Sequence, residues 1–314
     1  MLNLKEAFEF KPIAFGGASL SGEGGGYGFG SMSETKAIEL VQSAFERNYK
    51  IFDTAPIYGF GLSEERLGKA IKKFRDDVFV ISKSGIDWDH KKRVAIRNDV
   101  QTTKRMLDES LKRLDDDCID LYMVHWPDGD VDIRHTLDVL AKAQAQNKIR
   151  YIGLCNTNME ELTLAREAAK IDVVQNQFNL FENSSSELFE YFKSEAIKFM
   201  SWGTLDKGII TGSVSRSRTF DKNDVRASEA PWWNDEINLP KIKTMERVLP
   251  FLADNGHTGL EFALSFNLSR FENGDLGAVC LCGAKSSTQL LELEKALSNP
   301  VAADLIEHIL NKLL

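Results

Sequence analysis

Asp53, Tyr58, Lys83 and His125 are the residues of this sequence whose types, taken together, can move a proton. A phenol titrates at about pH 10 and is a poor acid–base group near neutrality unless its phenolate is stabilised. A lysine ammonium beside Tyr58 would lower its pKa by Coulomb attraction, and an aspartate would hold that lysine in place and charged. A histidine next to the phenol can hydrogen-bond a carbonyl oxygen and orient it. No nucleophile accompanies the set, and His90, His135, His257 and His308 form no ligand pair, so no metal is expected. The combination suits protonation of an oxygen while a hydride reaches its carbon, and a nicotinamide is the natural hydride source. Singly, each residue has a plain structural explanation: a helix cap, loop packing, a solvated charge, a core histidine. Only their joint placement favours chemistry.

That placement follows from the elements between them. Short β-branched or aromatic runs at 14–20, 51–53, 78–82, 119–124, 149–154, 173–174, 199–202 and 279–282 read as strands. Longer stretches with helical spacing lie at 33–48, 63–73, 98–114, 159–169, 186–194, 260–268 and 288–297, with Ser33 as an N-cap. Eight β-then-α units predict the α/β class, a (β/α)8 TIM barrel with long active-site loops, over an open doubly wound sheet of fewer strands. No Pro- or Ser-rich linker interrupts the chain, so residues 1–314 are read as a single domain.

Barrel enzymes carry their sites at the C-terminal ends of strands. Asp53 and Tyr58 follow the second run, Lys83 the third and His125 the fourth. Asn156, Gln175, Trp202 and Gly283 stand at the ends of the remaining four. The polar stretch 207–240, which carries Trp232 and Trp233, is too long for an ordinary connector and reads as a functional loop. The glycine-rich stretch 21–30 contains no G-x-G-x-x-G register and reads as a loop that turns Tyr27 toward a substrate. No Walker A, G-x-S-x-G or C-x-x-C pattern occurs.

Composition limits the function class. A net charge of −8 with 43% hydrophobic residues describes a globular protein without the basic face that nucleic acid demands. No apolar run approaches the roughly 18 residues of a membrane span, and the first residues carry no leader pattern. Cys118, Cys155, Cys280 and Cys282 read as free thiols of a reducing compartment, which points to the cytoplasm.

The same residues carry a family resemblance that runs over essentially the whole chain. The segments Phe52-Asp53-Thr54-Ala55-Pro56-Ile57-Tyr58-Gly59 and Ile119-Asp120-Leu121-Tyr122-Met123-Val124-His125-Trp126-Pro127 resemble two highly specific signatures of the aldo-keto reductase superfamily. Ser63-Glu64-Glu65-Arg66-Leu67-Gly68-Lys69-Ala70, Ile81-Ser82-Lys83 and Ile149-Arg150-Tyr151-Ile152-Gly153-Leu154 fall in register with them. The resemblance implies that Tyr58 is the general acid–base, His125 orients the carbonyl, and Lys83 paired with Asp53 tunes Tyr58. It implies a small-molecule aldehyde, ketone or alcohol as substrate.

For the cofactor, the resemblance implies NADP(H) in preference to NAD(H). Asn156 and Gln175 match the residues that hold the nicotinamide amide, and Trp202 takes the place of the usual stacking Tyr. Leu205 and Lys207 fall in the loop that embraces the pyrophosphate. Gly283, Lys285, Ser286 and Gln289 fall in the motif at the 2′-phosphate, assisted by helix N-terminal amides. Cys155, Cys282, Lys285 and Leu293 replace the family's Ser, Pro, Arg and Asn, and a lysine is a point charge without arginine's fork. Tyr27, Trp88, Trp126 and Trp232 are the candidate substrate wall, suited to an apolar or ring-shaped carbonyl. The competing function is a cofactor-binding regulatory subunit with little turnover, as some superfamily members are. The intact Asp, Tyr, Lys and His set favours an enzyme.

Overall fold

The computed structural model describes residues 1–22, 27–228, 230–231, 233–271 and 277–312. The chain begins with a short helix, α1 (Leu4–Phe10), started by a capping box between Asn3 and Glu6. The strands β1 (Ile13–Gly16), β2 (Ile51–Asp53) and β3 (Phe79–Ser84) alternate with α2 (Glu34–Glu46) and α3 (Leu62–Ile71). A hairpin of β4 (Ile86–Trp88) and β5 (Val94–Ile96) interrupts the rhythm before α4 (Val100–Leu114). The alternation resumes with β6 (Ile119–Val124), α5 (Ile133–Ala145), β7 (Ile149–Cys155), α6 (Met159–Ala168), β8 (Val173–Gln177), α7 (Phe189–Ser194) and β9 (Lys198–Trp202). After α8 (Asp235–Asp254) and α9 (Gly259–Arg270) come β10 (Val279–Cys282), α10 (Ser287–Ser298) and α11 (Ala303–Lys312).

All strands except the hairpin pair in parallel and close a barrel in the order β1-β2-β3-β6-β7-β8-β9-β10. This is the (β/α)8 barrel that the alternation predicts. Period 2 divides each strand between two cores. Ala14, Ile51, Phe79, Ile81, Leu121, Met123, Cys155, Val173, Met200 and Val279 fill the interior. Phe15, Phe52, Val80, Tyr122, Val124, Ile152, Leu154, Val174 and Phe199 face outward and pack within the larger apolar core. Gly153 is required on the inner face, because a Cβ there would lie 2.6 Å from Met123 Cε and 2.8 Å from the Val173 carbonyl oxygen.

Two features lock the strands that lead to the rim. Glu64 of α3 is fully buried, accepts from Ser82 Oγ at 2.5 Å and pairs with Arg113 Nε of α4 at 2.6 Å, so both helices are fastened to β3. At the opposite end α1 plugs the barrel, with Phe8 edge-on to Phe79 at 6.3 Å between ring centres.

The structure departs from the sequence expectations in places. The first strand stops at Gly16 and a 3-10 turn (Gly17–Leu20) follows. Gly17 sits against β2 where a Cβ would lie 2.6 Å from the Asp53 carbonyl oxygen. The polar loop ends at Asn234, which caps α8 by accepting from Ile237 N. Pro240 and Pro250 both lie inside that helix, each withholding one backbone donor from it. Among the described residues no helix is long and apolar enough to cross a membrane.

The plug yields a stability prediction. Phe8→Ala is expected to lower the free energy of unfolding by about 3 kcal/mol, read from urea denaturation with an unchanged m-value.

Candidate active site

Beyond the apolar filling, the next inward-facing position of several strands is polar. Asp53 follows Ile51, Lys83 follows Ile81, Gln175 follows Val173, and His125 comes next after Met123. Lys83 is 0% exposed and donates to both Asp53 carboxylate oxygens at 2.6 and 2.7 Å and to the Thr54 carbonyl at 2.9 Å. Three acceptors for three N–H groups leave the ammonium fully satisfied. Tyr58 lies on the turn after β2, its N–H donating to the Ala55 carbonyl at 3.1 Å. The Lys83 ammonium is 5.6 Å from the centre of the Tyr58 ring, and His125 stands edge-on to that ring at 5.9 Å and 87°. His125 N donates to the Ser84 carbonyl at 2.8 Å, which extends the β3–β6 pairing and sets the imidazole beside the phenol.

The Lys83 charge acts on Tyr58 in the expected direction, but burial outweighs it. Burial is the largest influence on Tyr58 and pushes its pKa up to about 12, while Lys83 pulls down and Asp53 pushes up. Lys83 moderates Tyr58 without bringing it below its ordinary value, so Tyr58 is a phenol throughout the neutral range. Burial also works against the charge of Lys83, but Asp53 and Tyr58 more than offset it, and the lysine is held above its ordinary value. Burial and then the Lys83 charge hold His125 well below the usual imidazole range. The Cys155 thiol is pushed up by burial and keeps its proton.

A cavity of about 1120 Å³ runs from Tyr58 and His125 to the start of α10. Asn156, Gln175, Trp202, Leu205, Lys207, Gly283, Lys285 and Gln289 line it, as do Tyr27 and Trp126 of the candidate substrate wall. Asp53 and Lys83 lie buried beneath it. Ser286 is the N-cap of α10 and accepts from Gln289 N at 3.2 Å. Trp88 does not line the cavity: it packs edge-on against Phe60 at 5.4 Å, because its strand carries it into the hairpin rather than over the rim. Trp232 lies outside the described residues.

Sequence reasoning passed over Arg218, Phe220 and Arg226, which also line the cavity from the long loop after β9. Two arginines in a polar segment already marked as functional were the available signal. Arg226 pairs with Asp224 at 2.7 Å and lies 4.4 Å from the Phe220 ring, and Val225 N donates to the Gly28 carbonyl at 2.7 Å, tying this loop to the one after β1. Lys285 donates to the Phe29 carbonyl and, at 3.4 Å, to that of Ser31. Leu205 leads into a turn where Asp206 and Lys207 both have positive φ, 41° and 57°. The buried Asp206 carboxylate anchors that turn to α8 through Lys241 at 2.8 Å.

The amides at the cavity floor are engaged with the protein itself. Asn156 Nδ2 donates to the His125 carbonyl at 2.8 Å, and Trp202 Nε1 donates to Asn156 Oδ1 at 2.9 Å. Gln175 Nε2 donates to Asp53 Oδ2 at 2.8 Å. Among the described residues no group of His, Cys, Asp and Glu could hold a metal ion. Lys207, Arg218, Arg226 and Lys285 line the cavity together with the carboxylates of Asp206, Asp221, Asp224, Glu261 and Glu292, and the Trp202 ring is part of the same wall.

The sequence profile of the Aldo/keto reductase family matches residues 12–312. The chain belongs to the aldo/keto reductase family. Aldo-keto reductase YhdN of Bacillus subtilis is 37% identical over 205 residues, a match covering 64% of this chain and 62% of that protein, so under two thirds of that relative is spanned. The NADH-specific methylglyoxal reductase of Escherichia coli is 29% identical over 283 residues, covering 86% of this chain and 85% of its own. The structure of a glycerol dehydrogenase from Gluconobacter oxydans superposes with a TM-score of 0.81 at 24% identity, covering 97% of this chain and 93% of the other, and shows the shared fold.

The His125 environment makes a prediction independent of substrate. An NMR titration of the imidazole is expected to show the His125 protonation step falling well below the usual value of about 6.5.

Proposed function

We propose that this family member reduces the carbonyl of a small-molecule aldehyde or ketone, or oxidises the corresponding alcohol, with Tyr58 as general acid–base. The observation that carries this reading is the joining of Asp53, Lys83, Tyr58 and His125 at the floor of a cavity of about 1120 Å³. A bound nicotinamide dinucleotide supplies the hydride. The residues of this chain do the rest. Neutral His125 donates a hydrogen bond to the carbonyl oxygen and fixes its direction. Tyr58 gives that oxygen its proton, and the Lys83 charge behind it stabilises the phenolate left. Asp53 keeps Lys83 in place. Trp202 offers a ring face, while Leu205, Lys207 and the amides of α10 hold phosphates.

The proposed cofactor is NADP(H) over NAD(H). Lys285 beside the capped start of α10 is a cation suited to a 2′-phosphate, with Ser286 and Gln289 next to it. The E. coli relative is named NADH-specific, so this preference is a property to test on this chain. Tyr27, Ile57, Ile86 and Trp126 give the Tyr58 end of the cavity an apolar, largely aromatic wall. A neutral carbonyl with a flat or apolar substituent fits it better than an anionic sugar. Four free cysteines suit a reducing cytoplasm as the place of action.

Tyr58→Phe is expected to bind the dinucleotide normally by fluorescence titration and to lose about 10²-fold or more in turnover, the scale of a missing general acid. Turnover close to wild type would refute the role of Tyr58, and a wild-type enzyme that oxidises no NADPH with a panel of aldehydes would refute the reductase reading. Lys285→Ala is expected to weaken NADPH about tenfold or more while changing NADH about twofold or less. Equal losses would mean that the 2′-phosphate is held elsewhere.

A further inference from the structure

An aromatic column beside the cavity carries an inference that rests on the reductase reading above and deepens it to a substrate class. Tyr27 lines the Tyr58 end of the cavity and stands edge-on to Phe60, at 6.2 Å between ring centres and 80°. Phe60 itself does not line the cavity. Behind it, Trp88 of the hairpin packs edge-on at 5.4 Å, and the Lys92 ammonium lies 4.8 Å from its ring centre. The backbone holds the ring in this place against its own preference. Phe60 has a φ of 55°, between Gly59 at 68° and Gly61 at 100°. A large side chain persists in the left-handed region only where its surroundings enforce it. Here Phe60 N donates to the Ile57 carbonyl at 3.2 Å, Gly61 N to that of Pro56 at 2.7 Å and Ser63 N to that of Tyr58 at 3.1 Å.

The hairpin holds the rest of the wall as well. Ile86 and Trp88 alternate onto one face of β4, and Ile86 lines the cavity. On the opposite face the buried Asp87 accepts from Arg105 of α4 at 2.8 Å, which fastens the hairpin to the helix layer. Just beyond β5, Asn98 Nδ2 donates to the Trp126 carbonyl at 2.8 Å. We propose that Phe60 is a positioning residue that determines specificity through Tyr27: the hairpin grips the Phe60 ring, that ring fixes Tyr27, and the wall so held selects aldehydes carrying an aromatic ring over small aliphatic ones. An edge-to-face neighbour restrains a ring's plane, so Tyr27 meets a flat substituent already oriented. An aldehyde without a ring gains nothing from that orientation. Because Phe60 stands outside the cavity, it acts on how the substrate is held and not on hydride or proton transfer.

Phe60→Asn, Phe60→Tyr and Trp88→Leu in the full-length protein test the assignment, assayed against benzaldehyde and propanal with the dinucleotide that wild type oxidises. Asparagine tolerates positive φ, so it removes the ring and keeps the turn. Phe60→Asn is expected to raise KM for benzaldehyde about fivefold more than KM for propanal, with kcat for either within about twofold of wild type. Phe60→Tyr restores the ring and is expected to keep the ratio of the two KM values within about twofold of wild type. Trp88→Leu leaves the turn after β2 untouched. It is expected to shift the ratio in the same direction, and it keeps the test open if Phe60→Asn does not fold. Equal rises in KM for the two aldehydes, or none, would overturn the proposal. So would a fall in kcat with both KM values preserved, which would place Phe60 behind Tyr58 instead of Tyr27. A wild type whose KM for propanal lies below that for benzaldehyde would overturn the substrate class. Those results leave the reductase reading standing, whereas a wild type that reduces no aldehyde overturns both.

Discussion

The site depends on an ion pair with no access to water. Lys83 and Asp53 are both essentially fully buried, and taking two such charges out of water is costly unless geometry and further hydrogen bonds repay it. Here the Thr54 carbonyl and the Gln175 amide supply what the pair itself does not. Breaking such a pair from one side costs about 3–5 kcal/mol, because the other charge is left stranded. The pair is therefore sustained by the barrel as much as it serves it. A slip of one residue in β3 would turn Lys83 into the helix layer and bring Ser82 or Ser84 to the rim in its place.

Around this pair the chain arranges two kinds of wall. Beneath it the barrel is dry, filled by Ile51, Ile81, Met123, Val173 and Met200 and closed by α1. A low local dielectric strengthens each interaction of the ammonium and also raises Tyr58, so the phenol holds its proton through the neutral range. Above it the loops after β1 and β9 meet through Gly28, Asp224 and Val225, and Lys285 after β10 donates to the first of them. Lys285 thus ties down two backbone carbonyls of the loop after β1.

Much of this was legible in the sequence. Residue type and strand-end position were enough to single out Asp53, Tyr58, Lys83 and His125, because a barrel displays whatever follows each strand on one rim. The alternation of runs gave the closed sheet, since strands buried on both faces read as apolar blocks. Short elements escaped, and so did the 13-residue α5. Helix α1 spans seven residues, too few for a hydrophobic period, although Asn3 and Glu6 carry its capping pattern. Strands β4 and β5 span three residues each and pair only with one another. Trp88 illustrates the limit: as an aromatic near a strand end it was indistinguishable from Trp126, yet one faces Phe60 and the other the cavity.

What the sequence determined by itself was the inventory and its order: which groups exist, and which strand delivers each. That holds because local periodicity and chain order survive in any fold of this class. What only tertiary structure decided was the partner of each group. Gln175 and Asn156 were legible as amides on the rim, but that one turns to Asp53 and the other to the His125 carbonyl depends on partners 122 and 31 residues away along the chain. The net direction of the Tyr58 pKa was likewise undecidable from types alone. It is a contest between burial and the Lys83 charge, and both are quantities of three-dimensional distance.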